Sequence, residues 1–477
     1  MRTVTLERVA AAALAVWLPA ACSEARAEYE EPPNVLLFVI DTLRADHLSC
    51  YGHSRPTSPH IDRFAADALR FEEVWAPAPR TVASHASLFT STMPAAHGVW
   101  NEPGPGEDSD DYKALTPKAI CLAEVFRSAG YQTLGVADGG WLQIDRGLAQ
   151  GFSDWDSTYE GVDKRVARAL ERLGKRDRRR PFFLFLHTYE VHTPFLPSDE
   201  ALAPFDDGYQ GVLREALAQA REASTGRKGG ALLRGVHEEF FAPLEPGFGP
   251  ADSEFLRILY DAEIATVDRA FARLLEGLEQ LGDLEHTLVV ITSDHGQEFG
   301  EHGTYDHAQV YDVNLRVPLI VRLPDGHRET ARGVRAEPVA LIDLMPTLLD
   351  ELGLPVPSSA TGRVIDLHRE PAASAARELW GEMREKRPQI VLIDGARRAL
   401  FAGGDGGELT LFDAAAGADW FPPAQALDEQ ALRARLEAYR AAAAEHALRF
   451  ELAPVPRSRD IFMDERRLDE LRQLGYL

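Results

Sequence analysis

The chain has 477 residues, 45% of them hydrophobic and 26% charged, which is enough apolar material for a large buried core and excludes a disordered or low-complexity protein. Its 75 acidic residues against 51 lysines and arginines give a formal charge of -24. That field repels nucleic acid and anionic membrane, so no nucleic acid partner is expected, and an anionic substrate needs local help from metal or histidine.

The N-terminus opens with Met1-Arg2 and Arg8, continues through the small apolar run Ala10 to Ala21, and turns charged from Ser23 to Glu31. This reads as a secretory signal over residues 1–27, too short for a membrane span. Two processing readings stand side by side: Ala25-Arg26-Ala27 fits a small-x-small cleavage site, and Pro19-Ala20-Ala21-Cys22 resembles a lipobox that anchors Cys22 to lipid. Both expect an exported protein, periplasmic or on the outer surface, soluble or lipid-anchored. Cys50 and Cys121 then remain, enough for one bridge or two free thiols.

Next comes Val35 to Ile40, a continuous apolar run of strand length that ends abruptly at Asp41. A strand covered on both faces of a parallel sheet has this composition. The design recurs where Phe182 to Leu186 runs into His187, Glu190 and His192, and where Thr287 to Ile291 runs into Asp294 and His295. Ligands of open α/β sheets collect at the carboxyl ends of strands, so the three runs are expected to converge on one crevice.

Helical patterns lie between them: Asp62 to Leu69, Ile120 to Ala129, and an amphipathic crossover from Ser253 to Leu281. Another helix is expected to begin near Ser84, just after Thr81. The irregular segment 198–250, directly after Glu190 and His192, is expected to form a substrate-side loop or lid. The alternation predicts an α/β sandwich with a mixed, mostly parallel central sheet over 34–350. Short strand-like pieces within roughly 375 to 415 belong to a small C-terminal subdomain over 351–424, and 425–477 reads as a helical tail.

Three segments carry chemistry. Asn34 to Tyr51 includes Asp41-Thr42-Leu43-Arg44; Thr81-Val82-Ala83-Ser84-His85 follows a Pro-rich entry; Asp294-His295-Gly296 is followed by His302 and His307. A carboxylate and an imidazole in succession at a strand end can hold one divalent cation from two directions. A hydroxyl at a helix N-terminus has the positive end of the dipole beside it, which suits an anionic phosphoryl or sulfuryl group. Taken alone, Thr81 would more simply cap a helix.

Together these segments resemble the motifs of the sulfatase family within the alkaline phosphatase superfamily, over about residues 34 to 350. The resemblance implies that Asp41, Asp294 and His295 bind metal, with Thr81 at the nucleophile position and also a ligand. In that family the nucleophile motif is Cys-x-Pro-Ser-Arg and its Cys, or sometimes Ser, becomes formylglycine. Here Thr81 cannot, Ala83 replaces the Pro, His85 the Arg, and Thr42 stands where many sulfatases have a second carboxylate.

His307 matches a basic residue that contacts the transferred group, and His192 a histidine near the leaving group. Glu190, His192, His307 and Arg44 are candidates for a second metal or for substrate, while His302 and His47 are expected to support the ligands. The Asp-His pair resembles phosphonate monoester hydrolases, lipoteichoic acid synthases and phosphoethanolamine transferases. Zinc or manganese suits this set better than calcium, and no formylglycine is expected.

The implied activity is hydrolysis of an anionic phosphate or sulfate ester, with phosphate mono- or diesters preferred. A formylglycine hydrate expels sulfate by reforming its aldehyde, whereas a sulfated threonine has no such exit. An exported phosphoethanolamine- or glycerophosphate-type transferase and a lapsed sulfatase-like binding protein are the alternatives.

Overall fold

The computed structural model describes residues 29–101, 113–224, 234–327, 331–369, 377–385, 388–403, 407–413 and 428–458. The signal segment 1–27 with Cys22, and the end of the tail from 459, lie outside the described residues. No described helix is long and apolar enough to cross a membrane. Cys50 and Cys121 are not bonded to each other, and neither forms a disulfide among the described residues.

The three apolar runs form adjacent parallel strands. Asn34–Ile40 lies between Phe182–Thr188 and Thr287–Thr292, with Val39 level with both His187 and Thr292. Because the register is even, their polar sequels leave the sheet side by side. The eight strands run in the order Gly333–Arg335, Leu69–Phe71, Leu319–Arg322, Thr287–Thr292, Asn34–Ile40, Phe182–Thr188, Gln132–Val136 and Asp154–Asp156. Only Leu319–Arg322 opposes its neighbours, so the sheet is mixed and mostly parallel.

Side chains alternate between two cores. Val35, Leu37 and Val39 face one layer, while Leu36, Phe38 and Ile40 face the other. On the first face Phe89, from the helix Thr81–Thr90, meets Phe185 edge-on at 4.9 Å. On the second, Phe271 from the 31-residue helix Pro250–Gln280 stacks on Phe38 at 6.1 Å. Burying a Phe of this kind stabilises the fold by roughly 1.5–3 kcal/mol.

A separate antiparallel sheet near the C-terminus runs Glu378–Met383, Gln389–Asp394, Arg397–Ala402 and Leu409–Asp413. The helix Glu429–Arg449 covers it, with Tyr439 stacked on Trp380 at 4.5 Å. The sheet touches the main body where it matters: Glu382 N donates to the Pro77 carbonyl at 2.9 Å, four residues before Thr81.

Two expected boundaries shift. The first helix is Pro59–Ala66, because Leu69–Phe71 leaves to pair in the sheet. The helix expected near Ser84 starts at Thr81, because Arg80 stays extended and its carbonyl already accepts from Ser84 N at 2.8 Å.

Candidate active site

Asp41 and Asp294 emerge from neighbouring strand ends and are fully buried. Asp294 Oδ1 accepts from Thr42 N at 3.2 Å and from His295 N at 3.0 Å. To donate there, Thr42 adopts φ 58°, a left-handed conformation unusual for a β-branched residue. Its hydroxyl turns away from the carboxylates and lies 2.9 Å from the Val191 carbonyl, next to His192. The backbone thus holds the missing-carboxylate position while the side chain ties two loops together.

The remaining oxygens, Asp41 Oδ1 and Asp294 Oδ2, are buried with no hydrogen-bond partner. Burial pushes both carboxyls up to about 7. His295 Nδ1 lies 3.0 Å from the Gly296 carbonyl, which can only accept, so the proton sits on Nδ1 and Nε2 presents a lone pair. Burial holds this imidazole neutral, lowering it to about 3. Donor atoms of Asp41, Asp294 and His295 lie within 4.8 Å of one another. Two orphaned carboxylate oxygens and an imidazole lone pair fit a divalent cation.

Thr81 begins its helix directly over this group, with Oγ1 3.5 Å from His295 Nε2. Ser84 ties the helix to the metal loop by donating to the Asp294 carbonyl at 2.7 Å. Gly296 permits the loop's close turn: a Cβ there would stand 2.0 Å from the Val313 carbonyl oxygen.

His192 and His307 meet at the mouth, Nε2 to Nε2 at 3.2 Å, with His307 stacked at 4.4 Å on His295. Burial lowers both imidazoles, His307 to about 3. Beyond them opens a cleft of about 650 Å³. His237, Glu238 and Glu245 of the segment 198–250 line it, so that insertion does stand on the cleft side.

The other predicted residues have different surroundings. Glu190 accepts from Val162 N at 2.8 Å and lines a second cleft with Glu263, outside the metal group. Arg44 donates to Asp46 and, from Nη1 at 2.7 Å, to Glu301, so its charge is spent on carboxylates of its own. His47 binds Asp261 at 2.6 Å in a network with His53 and Arg55, whose guanidinium donates to the same carboxylate at 2.7 Å. His302 stacks on Tyr311 at 3.6 Å.

Sequence reasoning placed two further histidines, His187 at a strand end and His85 at the motif's Arg position, but gave neither a role. His187 Nε2 lies 3.3 Å from Asp41 Oδ2, and His85 Nδ1 donates to the Thr81 carbonyl at 2.8 Å. Their other nitrogens, His187 Nδ1 and His85 Nε2, are buried without hydrogen-bond partners. The signal for His187 was its position at the end of a buried strand, one side chain from Asp41 across the register.

Comparison with known proteins decides the affiliation, since the family model described as Sulfatase matches residues 33–354. The chain belongs to the sulfatase family. Among curated relatives, the N-acetylglucosamine-6-O-sulfatase of Bacteroides thetaiotaomicron is 24% identical over 416 residues, covering 72% of this chain and 72% of the relative. Human arylsulfatase A is 28% identical over 349 residues, covering 69% and 65%.

Among solved structures, the phosphonate monoester hydrolase of Agrobacterium radiobacter superposes on this sulfatase-family chain with a TM-score of 0.65 at 21% identity, over 89% of this chain and 100% of its own. A protein in complex with its substrate D-glucosamine-2-N,6-O-disulfate gives the same TM-score at 20% identity, over 87% and 98%. These relatives and neighbours are hydrolases of sulfate or phosphonate esters, and the sulfatase-like α/β fold is common to them and this chain.

Proposed function

We propose that this sulfatase-family hydrolase cleaves phosphate esters, monoesters or diesters ahead of sulfates, with Thr81 as the direct nucleophile. The observation that carries this reading is the Thr81 hydroxyl at the helix N-terminus, 3.5 Å from His295 Nε2 and above the Asp41 and Asp294 carboxylates. A residue that only capped the helix would have no use for two unpartnered carboxylate oxygens beneath it.

Asp41, Asp294 and His295, with Thr81, would hold the divalent ion; zinc or manganese suits a mixed carboxylate and imidazole set better than calcium. When bound, such an ion lowers the hydroxyl pKa and neutralises a non-bridging oxygen of the ester. Thr81 Oγ forms the new bond to phosphorus as the bond to the leaving oxygen breaks, and its proton passes to water.

His192 and His307 face the leaving side. Both are neutral in the empty cleft, and an incoming phosphate anion favours their charged form, which then protonates the leaving oxygen. Water releases phosphate from Thr81 in the second step. Phosphorus suits this route because a phosphothreonine is open to in-line attack by water, while a sulfated threonine lacks the aldehyde exit of formylglycine.

The test is a panel of aryl phosphates, phosphodiesters, phosphonates and sulfates on the purified protein, with its metal content measured in parallel. Phosphate turnover above sulfate turnover is expected. Robust sulfatase activity with no phosphatase activity overturns the preference.

A further inference from the structure

Resting on the ester-hydrolase reading above, we propose that the cleft sorts substrates by the charge of the leaving group, accepting neutral or cationic groups and rejecting a second anion. The described lining residues include four carboxylates, Glu238, Glu245, Asp306 and Glu385, against two guanidiniums, Arg80 and Arg234. Arg80 is already committed: its Nε lies 2.9 Å from Glu385 and its Nη1 3.9 Å from Asp306. Arg234 lies over the Trp141 ring, 5.3 Å from its centroid.

Carboxylates thus outnumber guanidiniums by two in the cleft lining. The anion to be transferred escapes this field, since it sits deeper, at Thr81 and the metal ligands. The leaving group does not.

Its walls are aromatic. Trp141, Tyr159, Tyr189 and Tyr305 line the same space, and such rings favour a flat apolar body or a cation over an anion. A second anion on the leaving group would face these carboxylates and be repelled by them.

The experiment compares 4-methylphenyl, 4-(aminomethyl)phenyl and 4-(carboxymethyl)phenyl phosphates, in which a methylene insulates the leaving oxygen from the remote charge. The aminomethyl and methyl esters are expected to exceed the carboxymethyl ester about tenfold in kcat/KM at low ionic strength, with the gap narrowing in salt. Glu238→Gln combined with Glu245→Gln is expected to shrink the gap to about twofold. This ratio within one variant is insensitive to how much of it folds.

A carboxymethyl ester turned over as well as the methyl ester overturns the inference. If none of the three is hydrolysed, the ester-hydrolase reading fails instead. Calorimetric binding of the three corresponding arylphosphonates, which have no cleavable ester to that ring, still decides the charge question by the order of their Kd values.

Discussion

Thr81 Oγ1 and His295 Nε2 approach to 3.5 Å, although 214 residues separate them in the chain. With the proton of His295 held on Nδ1 by the Gly296 carbonyl, what faces the hydroxyl is a lone pair. Thr81→Ala is expected to lower kcat on an aryl phosphate by at least about a thousandfold, while Thr81→Ser keeps activity within about a hundredfold. Acid-quenched mixtures should carry the phosphoryl group on the peptide containing Thr81; unchanged turnover in Thr81→Ala rules the assignment out.

Asp41 and Asp294 repel each other when both are charged, which contributes to the raised pKa of Asp294 after burial itself. Asp294→Asn should therefore raise the melting temperature of the metal-free protein and abolish the further rise on adding zinc or manganese. In the native chain the stabilisation behind that rise should reach about 2.7 kcal/mol at a metal concentration about a hundredfold above Kd. Differential scanning calorimetry with and without a chelator reads both effects.

Acid stability offers a third check. Burial raises the Glu301 pKa, but the charge and hydrogen bond of Arg44 outweigh it and bring the group down to about 2. A depressed carboxyl stabilises the fold above its unfolded value of about 4.3 and loses that contribution as pH falls through about 2. Urea midpoints should thus drop between pH 5 and pH 2 (set as roughly this window by the two values), and Glu301→Gln should lower stability at pH 7 while flattening the acid limb.

Two glycines should respond in opposite directions. Gly296→Ala places a methyl 2.0 Å from the Val313 carbonyl, moves the His295 loop, and should cost more than about 2 kcal/mol together with metal binding. Gly174 lies in the helix Val162–Lys175 with nothing within 4 Å of an added Cβ, so Gly174→Ala should stabilise by about 0.5–1 kcal/mol. Denaturant midpoints separate the two.

The sheet was legible wherever one strand announced itself. Val35 to Ile40 and its two companions are apolar on both faces, and a run of that length and composition fits a strand buried in the middle of a sheet better than any surface element. Their convergence on Asp41, Asp294 and His295 followed from the position of ligands in such sheets, and the structure brings those groups together. Glu190 and Arg44 were harder to read. Both sit within a few residues of the metal loops, yet a turn sends Glu190 to the Val162 amide, and Glu301, 257 residues from Arg44, claims its guanidinium.

His85 and His187 were obscured for the opposite reason. Inside an apolar helix and an apolar strand, a lone histidine looks like packing until its neighbours across the sheet are known. The start of the helix at Thr81 depended on the extended backbone of Arg80, which no side-chain pattern announces.

The central place of Asn34–Ile40 between strands drawn from residues 182–188 and 287–292 has a consequence for assembly. One carboxylate of the candidate metal group lies near the start of the folded chain, and Asp294 and His295 lie 253 and 254 positions later. A growing chain that has not yet reached Asp294 contains Asp41 and Thr81 but neither of the two later members of the group. Capture of an ion by this group would therefore be a late event, and its uptake would report that the middle of the sheet has closed.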